Sequence, residues 1–292
     1  MESIHTTSYQ PPVDTLLTYG ECQLGGPSDW PNYLELGLGP EHISDLIRMA
    51  TDENLNGADS NSLEVWAPIH AWRALGQLRA EAAAKPLLTL FNFSEDSDWV
   101  TEDLPDVFGM IGPAALPGLA AYIADDVSNN DTSRIDAISS VEKIGQHWPD
   151  ARTQCIEALT RQLELLGANE PDFNGFLIAS LVDLQATEAV PLIERAFALG
   201  CVDLTIMGDW DLVQVELGLK LPQEIQPRQH RFFPEIDRLL TAYKEKASPN
   251  VSSNVHPSVS SNVHHEQKVD HKKPKSQKSK MAKQSRKKNR KR

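Results

Sequence analysis

The chain has 292 residues, room for a sizeable core in one or two domains, and a formal charge of −13. That figure hides two opposed parts: residues 1–243 carry 13 Lys and Arg against 38 Asp and Glu, a net −25, whereas residues 244–292 carry 15 against 3, a net +12. No run approaches the ~18 consecutive apolar residues of a membrane span, and Met1 to Thr7 lacks the charged and apolar stretches of a secretory leader, so a cytoplasmic chain with no membrane partner is expected.

The three cysteines, Cys22, Cys155 and Cys201, are far apart and show no CxxC or CxxH spacing. They read as small core residues in a reducing compartment, not as a disulfide framework or zinc site.

Residues 1–28 read as a loosely ordered N-terminal segment, with Pro11-Pro12, a short helix from Asp14 to Tyr19 ended by Gly20, and a polar loop at Gly25 to Ser28. Asp29 then opens a helix carrying Pro31 in its first turn, and Gly37 and Gly39 stop it. Pro40 starts the next, where Ile43, Leu46, Ile47 and Ala50 fall at i, i+3, i+4 and i+7 on one face. Asn54 to Asn61 is a polar connection.

Four helix pairs follow. Leu63–Leu78 pairs with Glu81–Phe91, Trp99–Met110 with Pro113–Ile123, Ser133–Ile144 with Asp150–Leu166, and Asn174–Leu184 with Thr187–Leu199. The stretch Ala74 to Leu88 is echoed at Val107 to Leu119 and again, more faintly, at Leu181 to Ile193. Gly76, Gly109, Gly145 and Asp183 occupy comparable positions at spacings of 33, 36 and 38 residues, which suits two helices of three to four turns plus two short loops. Small residues near each turn let the two helices of a pair approach closely, and Pro86, Pro117 and Pro191 sit in the early turns of second helices, where they bend the chain at low cost.

Asp29-Trp30 and Asp209-Trp210 open similar Gly-terminated segments at the two ends of this array, as end caps would. After Pro222 a connector leads to a last helix, Phe232 to Lys244, with Phe233, Ile236, Leu239 and Leu240 on one side. The remainder, 246–292, contains a Ser/Val/Asn/His duplication and then a Lys/Arg-rich end that cannot bury a core and is expected to be disordered. The fold expected is therefore all-α: a solenoid of about four or five stacked antiparallel helix pairs over 29–245, with a disordered basic C-terminal tail.

The units resemble HEAT repeats. The short period and the Leu-Gly-x-Leu-x-Ala-Glu-Ala pattern at 75–82 are similar to the compact phycobilisome-lyase type found in bacteria, and to HEAT-repeat proteins of cyanobacteria. The resemblance spans roughly residues 30–220, is clear in the first two full units, and fades after Asp125. Standard HEAT repeats run to about 40 residues or more, longer than these. The resemblance implies protein binding along a concave face, with a chaperone-like or lyase-type role on phycobiliproteins as the alternative. No motif here would place a chromophore, so that activity attaches to no residue.

The body's histidines, His42, His70, His147 and His230, lie in different units without the i, i+4 pairing of a metal-binding helix, and His70 reads as a packing residue. No triad, P-loop or dinucleotide fingerprint occurs, so no catalytic residue, metal or cofactor is assigned. Acidic runs at Glu95 to Asp98, Glu102-Asp103, Asp125-Asp126 and Asp131 would align into a negative ridge if the hairpins stack.

Trp66, Trp72, Trp99 and Trp210 are the candidate protein-binding or packing anchors. In the tail, Lys272, Lys273, Lys275, Arg286, Lys287, Lys288, Arg290, Lys291 and Arg292 are candidates for contact with nucleic acid, the ribosome or an acidic partner, the body itself included. The expected function is a non-catalytic scaffold with protein partners and an electrostatic tail; an RNA- or ribosome-associated protein is a further alternative.

Overall fold

The computed structural model describes residues 9–221, and every regular element among them is helical. The helix expected at Phe232 to Lys244 and the basic tail lie outside the described residues, as do residues 1–8.

From Tyr9 onward the N-terminal segment is not loose. It forms short 3-10 stretches at Val13–Thr18, Pro27–Asp29 and Tyr33–Leu36, and a fourth at Pro40–His42 leads into α1 (Ile43–Ala50). Val13, Leu16 and Tyr33 are fully buried, with Tyr9, Cys22 and Trp30 nearly so. Short turns hide this from a periodicity argument, because each contributes only one or two inward side chains. Asp29 ends one of these turns instead of capping a helix. The cap belongs to Asn32, whose side chain accepts from the Leu34 amide at 3.2 Å, and the expected helix shrinks to the turn that Gly37 closes at φ +85°. The polar connection contains one further turn, α2 (Glu53–Asn56), capped by Asp52.

The eight helices expected to form four pairs are present: α3 (Ala67–Gln77), α4 (Ala84–Leu87), α5 (Asp98–Ile111), α6 (Leu116–Ala124), α7 (Asp131–His147), α8 (Arg152–Leu163), α9 (Pro171–Asp183) and α10 (Val190–Ala198). Of the expected partners only α7 and α8 pack extensively on each other, and α6 packs on α7 and α8 on α9 as well. Two short helices follow, α11 (Leu204–Met207) and α12 (Trp210–Glu216). A 3-10 turn precedes every second helix, at Glu81–Ala83, Pro113–Ala115, Pro149–Ala151 and Thr187–Ala189. Pro117 and Pro191 therefore fall at the start of α6 and α10, where a missing N–H costs nothing. Pro86 falls near the end of α4, which passes into a 3-10 run at Leu88–Phe93.

First helices pack against first helices in chain order: α3 on α5, α5 on α7, α7 on α9. Polar contacts set their register. Arg73 meets Asp103, Asp106 meets Lys143 at 2.7 Å, and the Ser180 hydroxyl donates to Glu142 at 2.8 Å. Each contact joins similar heights on neighbouring helices, so the four run parallel. Hairpin turns then gather on one edge and inter-hairpin connections on the other.

The repeated glycines serve this stacking. A Cβ at Gly109 would lie 2.8 Å from the Cβ of Lys143, and one at Gly76 would lie 3.4 Å from the Cα of Val107. The close approach expected within a pair is thus found mainly between pairs. The first and fourth hairpin turns share one geometry: Arg79 (φ +50°) and Gln185 (φ +54°) take the left-handed position, and the amides of Ala80 and Ala186 donate five residues back at 3.0 and 2.9 Å. One core runs from Tyr9 to Leu217 beneath all of this.

Candidate protein-binding surface

The four predicted tryptophans do not form one site. Trp72 is only 1 % exposed, and its indole N–H donates to the Asp103 carboxylate at 3.3 Å, so it packs the core and is closed to a partner. Trp66 and Trp99 are half-buried and meet edge-to-face with ring centroids 5.4 Å apart. Trp210, also half-buried, lies against Phe197 at 5.9 Å on the last unit. Reasoning from sequence passed over Trp148. Its indole N–H donates to the Gly109 carbonyl at 2.9 Å, and the Arg79 guanidinium sits 5.2 Å from its ring, so one side chain joins the turns of three consecutive pairs. Its place directly after the third first helix was the available signal. The tail candidates, Lys272 to Arg292, lie outside the described residues.

The N-terminal segment is held by a buried polar cluster. Arg73 donates to Asp103 through Nε at 2.7 Å and through one terminal nitrogen at 3.2 Å, and that nitrogen also donates to the Gln23 carbonyl at 3.1 Å. Burial pulls the guanidinium downward, but its bonds to Asp103 outweigh that and hold it above its ordinary value. His70 is a packing residue as expected, with a defined tautomer: Nδ1 accepts from the Tyr33 hydroxyl at 2.7 Å while Nε2–H donates to the Gly20 carbonyl at 2.9 Å. The Cys22 sulfur lies 3.4 to 3.5 Å from both ring nitrogens.

This is not an activated thiol–imidazole pair. Burial pushes the Cys22 thiol up to about 12, so it stays protonated and poorly nucleophilic. Cys155 is likewise buried and is pushed up to about 11, whereas Cys201 is half-buried rather than a core residue. Among the described residues, no group of three His, Cys, Asp or Glu side chains is placed to hold a metal ion.

Burial also lowers the His70 pKa. The unfolded chain therefore binds a proton that the folded one resists, and His70 favours folding above its unfolded value of about 6.5. That contribution declines as pH falls from there through the lowered folded value. Guanidinium melts at pH 8 and pH 5.5 should show wild type losing more stability on acidification than His70→Gln. Equal losses would mean that the imidazole protonates in place.

The open surface has two features. Between α4 and α6 runs a groove of about 590 Å³ whose lining includes Ala82, Ala114, Gly118 and Ala121, the half-buried Leu88 and Tyr122, and the charged Glu81, Lys85 and Asp125. Small side chains leave the two helix backbones close to the surface, so an incoming side chain finds contact area with little to displace. The second feature is the edge of inter-hairpin connections. Residues 51–66, 92–98, 125–131, 164–172 and 199–209 hold 15 Asp and Glu and no Lys or Arg. Over the whole described body the ratio is 34 to 10, and six of the ten cations are engaged in ion pairs. The edge therefore presents a field of one sign, felt within about 10 Å at moderate salt.

No single helix among the described residues is long and apolar enough to cross a membrane. No family model matches the chain, and no curated protein or solved structure matches it.

Proposed function

We propose that the protein is a non-catalytic binding scaffold, a HEAT-like α-solenoid whose second helices recognise a protein partner and whose acidic edge favours a basic one. The observation that carries this reading is the open, alanine-lined groove between α4 and α6, bordered by Glu81 and Asp125. A solenoid offers such a groove at every junction of second helices, and its stability is spread over unit interfaces, which leaves the outer surface available for recognition. The Lys/Arg-rich end, 272–292, supplies an electrostatic attachment that adds effective concentration without shape selection.

Ala121 is exposed in the groove, so Ala121→Trp fills it without entering the core. Capture from the native cell with full-length protein should recover a basic partner, and Ala121→Trp should weaken its retention by about tenfold at unchanged helicity. A variant that retains the same proteins to the same extent would exclude the groove as the recognition surface.

A further inference from the structure

Among the described residues, each cation–aromatic contact is made by an arginine. Two of them belong to Arg73, whose guanidinium is 1 % exposed and lies 4.8 Å from the Trp30 ring and 5.6 Å from the Trp99 ring. Trp66 carries this cluster towards the surface. It and Trp99 are half-buried, and their rings stand at 89° with centroids 5.4 Å apart. Two perpendicular indoles bound a corner with a π face on each wall, and such faces attract a cation through their negative quadrupole. Trp72, one turn away from closing the same cluster, is shut in the core, whereas Trp66 and Trp99 open α3 and α5 on the edge of inter-hairpin connections.

The charge around this corner is of one sign. The connections that lead into it, 51–66 and 92–98, hold seven of the edge's 15 Asp and Glu and no Lys or Arg. Glu64 precedes Trp66 by two residues and Asp98 adjoins Trp99; both are exposed, as is Asp96. The N-termini of α3 and α5 bring about half a positive charge each, far short of seven carboxylates. Arg73 adds little to the balance, because it is paired with Asp103 at 2.7 Å.

We infer that the corner between Trp66 and Trp99 receives an arginine side chain from a basic protein partner. The inference rests on the basic partner proposed above and adds the place and the residue type that are recognised. Charge complementarity selects the sign, since an acidic peptide or a phosphate backbone would meet Glu64, Asp96 and Asp98 first. Geometry selects between the two cationic side chains. A planar, weakly hydrated guanidinium stacks on a flat indole wall better than a compact ammonium, and its N–H groups stay available to donate to carboxylates at the rim. Arg73 makes the same pairing with Trp99 inside the core.

Fluorescein-labelled octa-arginine and octa-lysine carry equal charge and differ only in the group presented, so their anisotropy titrations against the full-length protein at about 0.15 M salt isolate the aromatic contribution. Octa-arginine should bind about fivefold more tightly, and W66L/W99L should bring that ratio below about twofold while leaving octa-lysine binding unchanged. A reading that needs no substitution comes from the wild-type indole N–H resonances. Those of Trp66 and Trp99 should move when octa-arginine is added, and those of Trp72, Trp148 and Trp210 should not. Equal affinity for the two peptides in wild type overturns the inference, as does an arginine preference that survives W66L/W99L, or movement confined to the other indoles. Resonances of Trp66 and Trp99 that shift with salt before any peptide is added, and stop doing so in R286K/R290K/R292K, overturn it by giving the corner to the chain's own end. Absence of binding by both peptides removes the basic partner altogether, whereas equal binding removes only the arginine site.

Discussion

Asp103→Ala should be the most damaging single substitution in the body, costing about 3–5 kcal/mol. The carboxylate is 1 % exposed and accepts from Arg73 at 2.7 and 3.2 Å and from Trp72 at 3.3 Å. Its removal leaves a buried guanidinium with the Gln23 carbonyl and the faces of Trp30 and Trp99, at 4.8 and 5.6 Å, as poor substitutes for water. Domains are stable by roughly 5–15 kcal/mol, so the variant would approach the unfolding threshold at ordinary temperature. The double variant Arg73→Met with Asp103→Leu removes both charges at similar volume and should recover part of the loss, short of about 1–3 kcal/mol for the forfeited Gln23 bond and the Trp72 indole N–H left without its acceptor. Denaturant midpoints of the three proteins measure this. A loss below about 1 kcal/mol for Asp103→Ala would mean that water reaches the pair.

Gly112→Ala is expected to cost about 3 kcal/mol, from two effects that no rearrangement relieves together. Gly112 joins α5 to α6 at φ +90° and ψ −154°, a region essentially confined to glycine. Its missing side chain is also the space taken by Trp148: a Cβ there would stand 2.5 to 2.7 Å from three indole atoms. Gly167→Ala serves as the control, because nothing lies within 4 Å of its position. Thermal melts should show Gly112→Ala well below wild type and Gly167→Ala close to it. The steric part should shrink in a Trp148→Ala background, since residues in contact couple and distant ones do not. An unchanged cost there would leave backbone strain as the whole effect.

How legible the protein was in its sequence depended on the range of the interaction. The helices of the array were readable because each carries its own apolar period and its own stops, and Asp209 caps α12 through the Leu212 amide as its sequence suggested. Gly76 and Gly109 were singled out correctly but given the wrong neighbour, because spacing shows that a close approach exists and not which helix makes it. The cluster at His70 was invisible. Its partners Gly20, Cys22 and Tyr33 are 50, 48 and 37 residues away, and no local pattern links a 3-10 turn to a later helix. Trp72 and Trp99 looked alike in sequence. Their difference in burial follows from the first being interior to α3 and the second opening α5, where one flank faces Trp66.

The hold on the N-terminal segment has one more consequence. Gln23 is exposed and Gly20 has no side chain, yet each anchors a buried residue of α3 through its carbonyl oxygen. Amino-acid replacement cannot delete a carbonyl, so Glu21, Gln23 and Leu24 are free to vary in kind while the path of the strand of chain they occupy is not. Editing that stretch by spelling should be tolerated, and editing it by length should detach it: removal of one residue between Gly20 and Gln23 would pull both oxygens out of register with the imidazole and the guanidinium they serve.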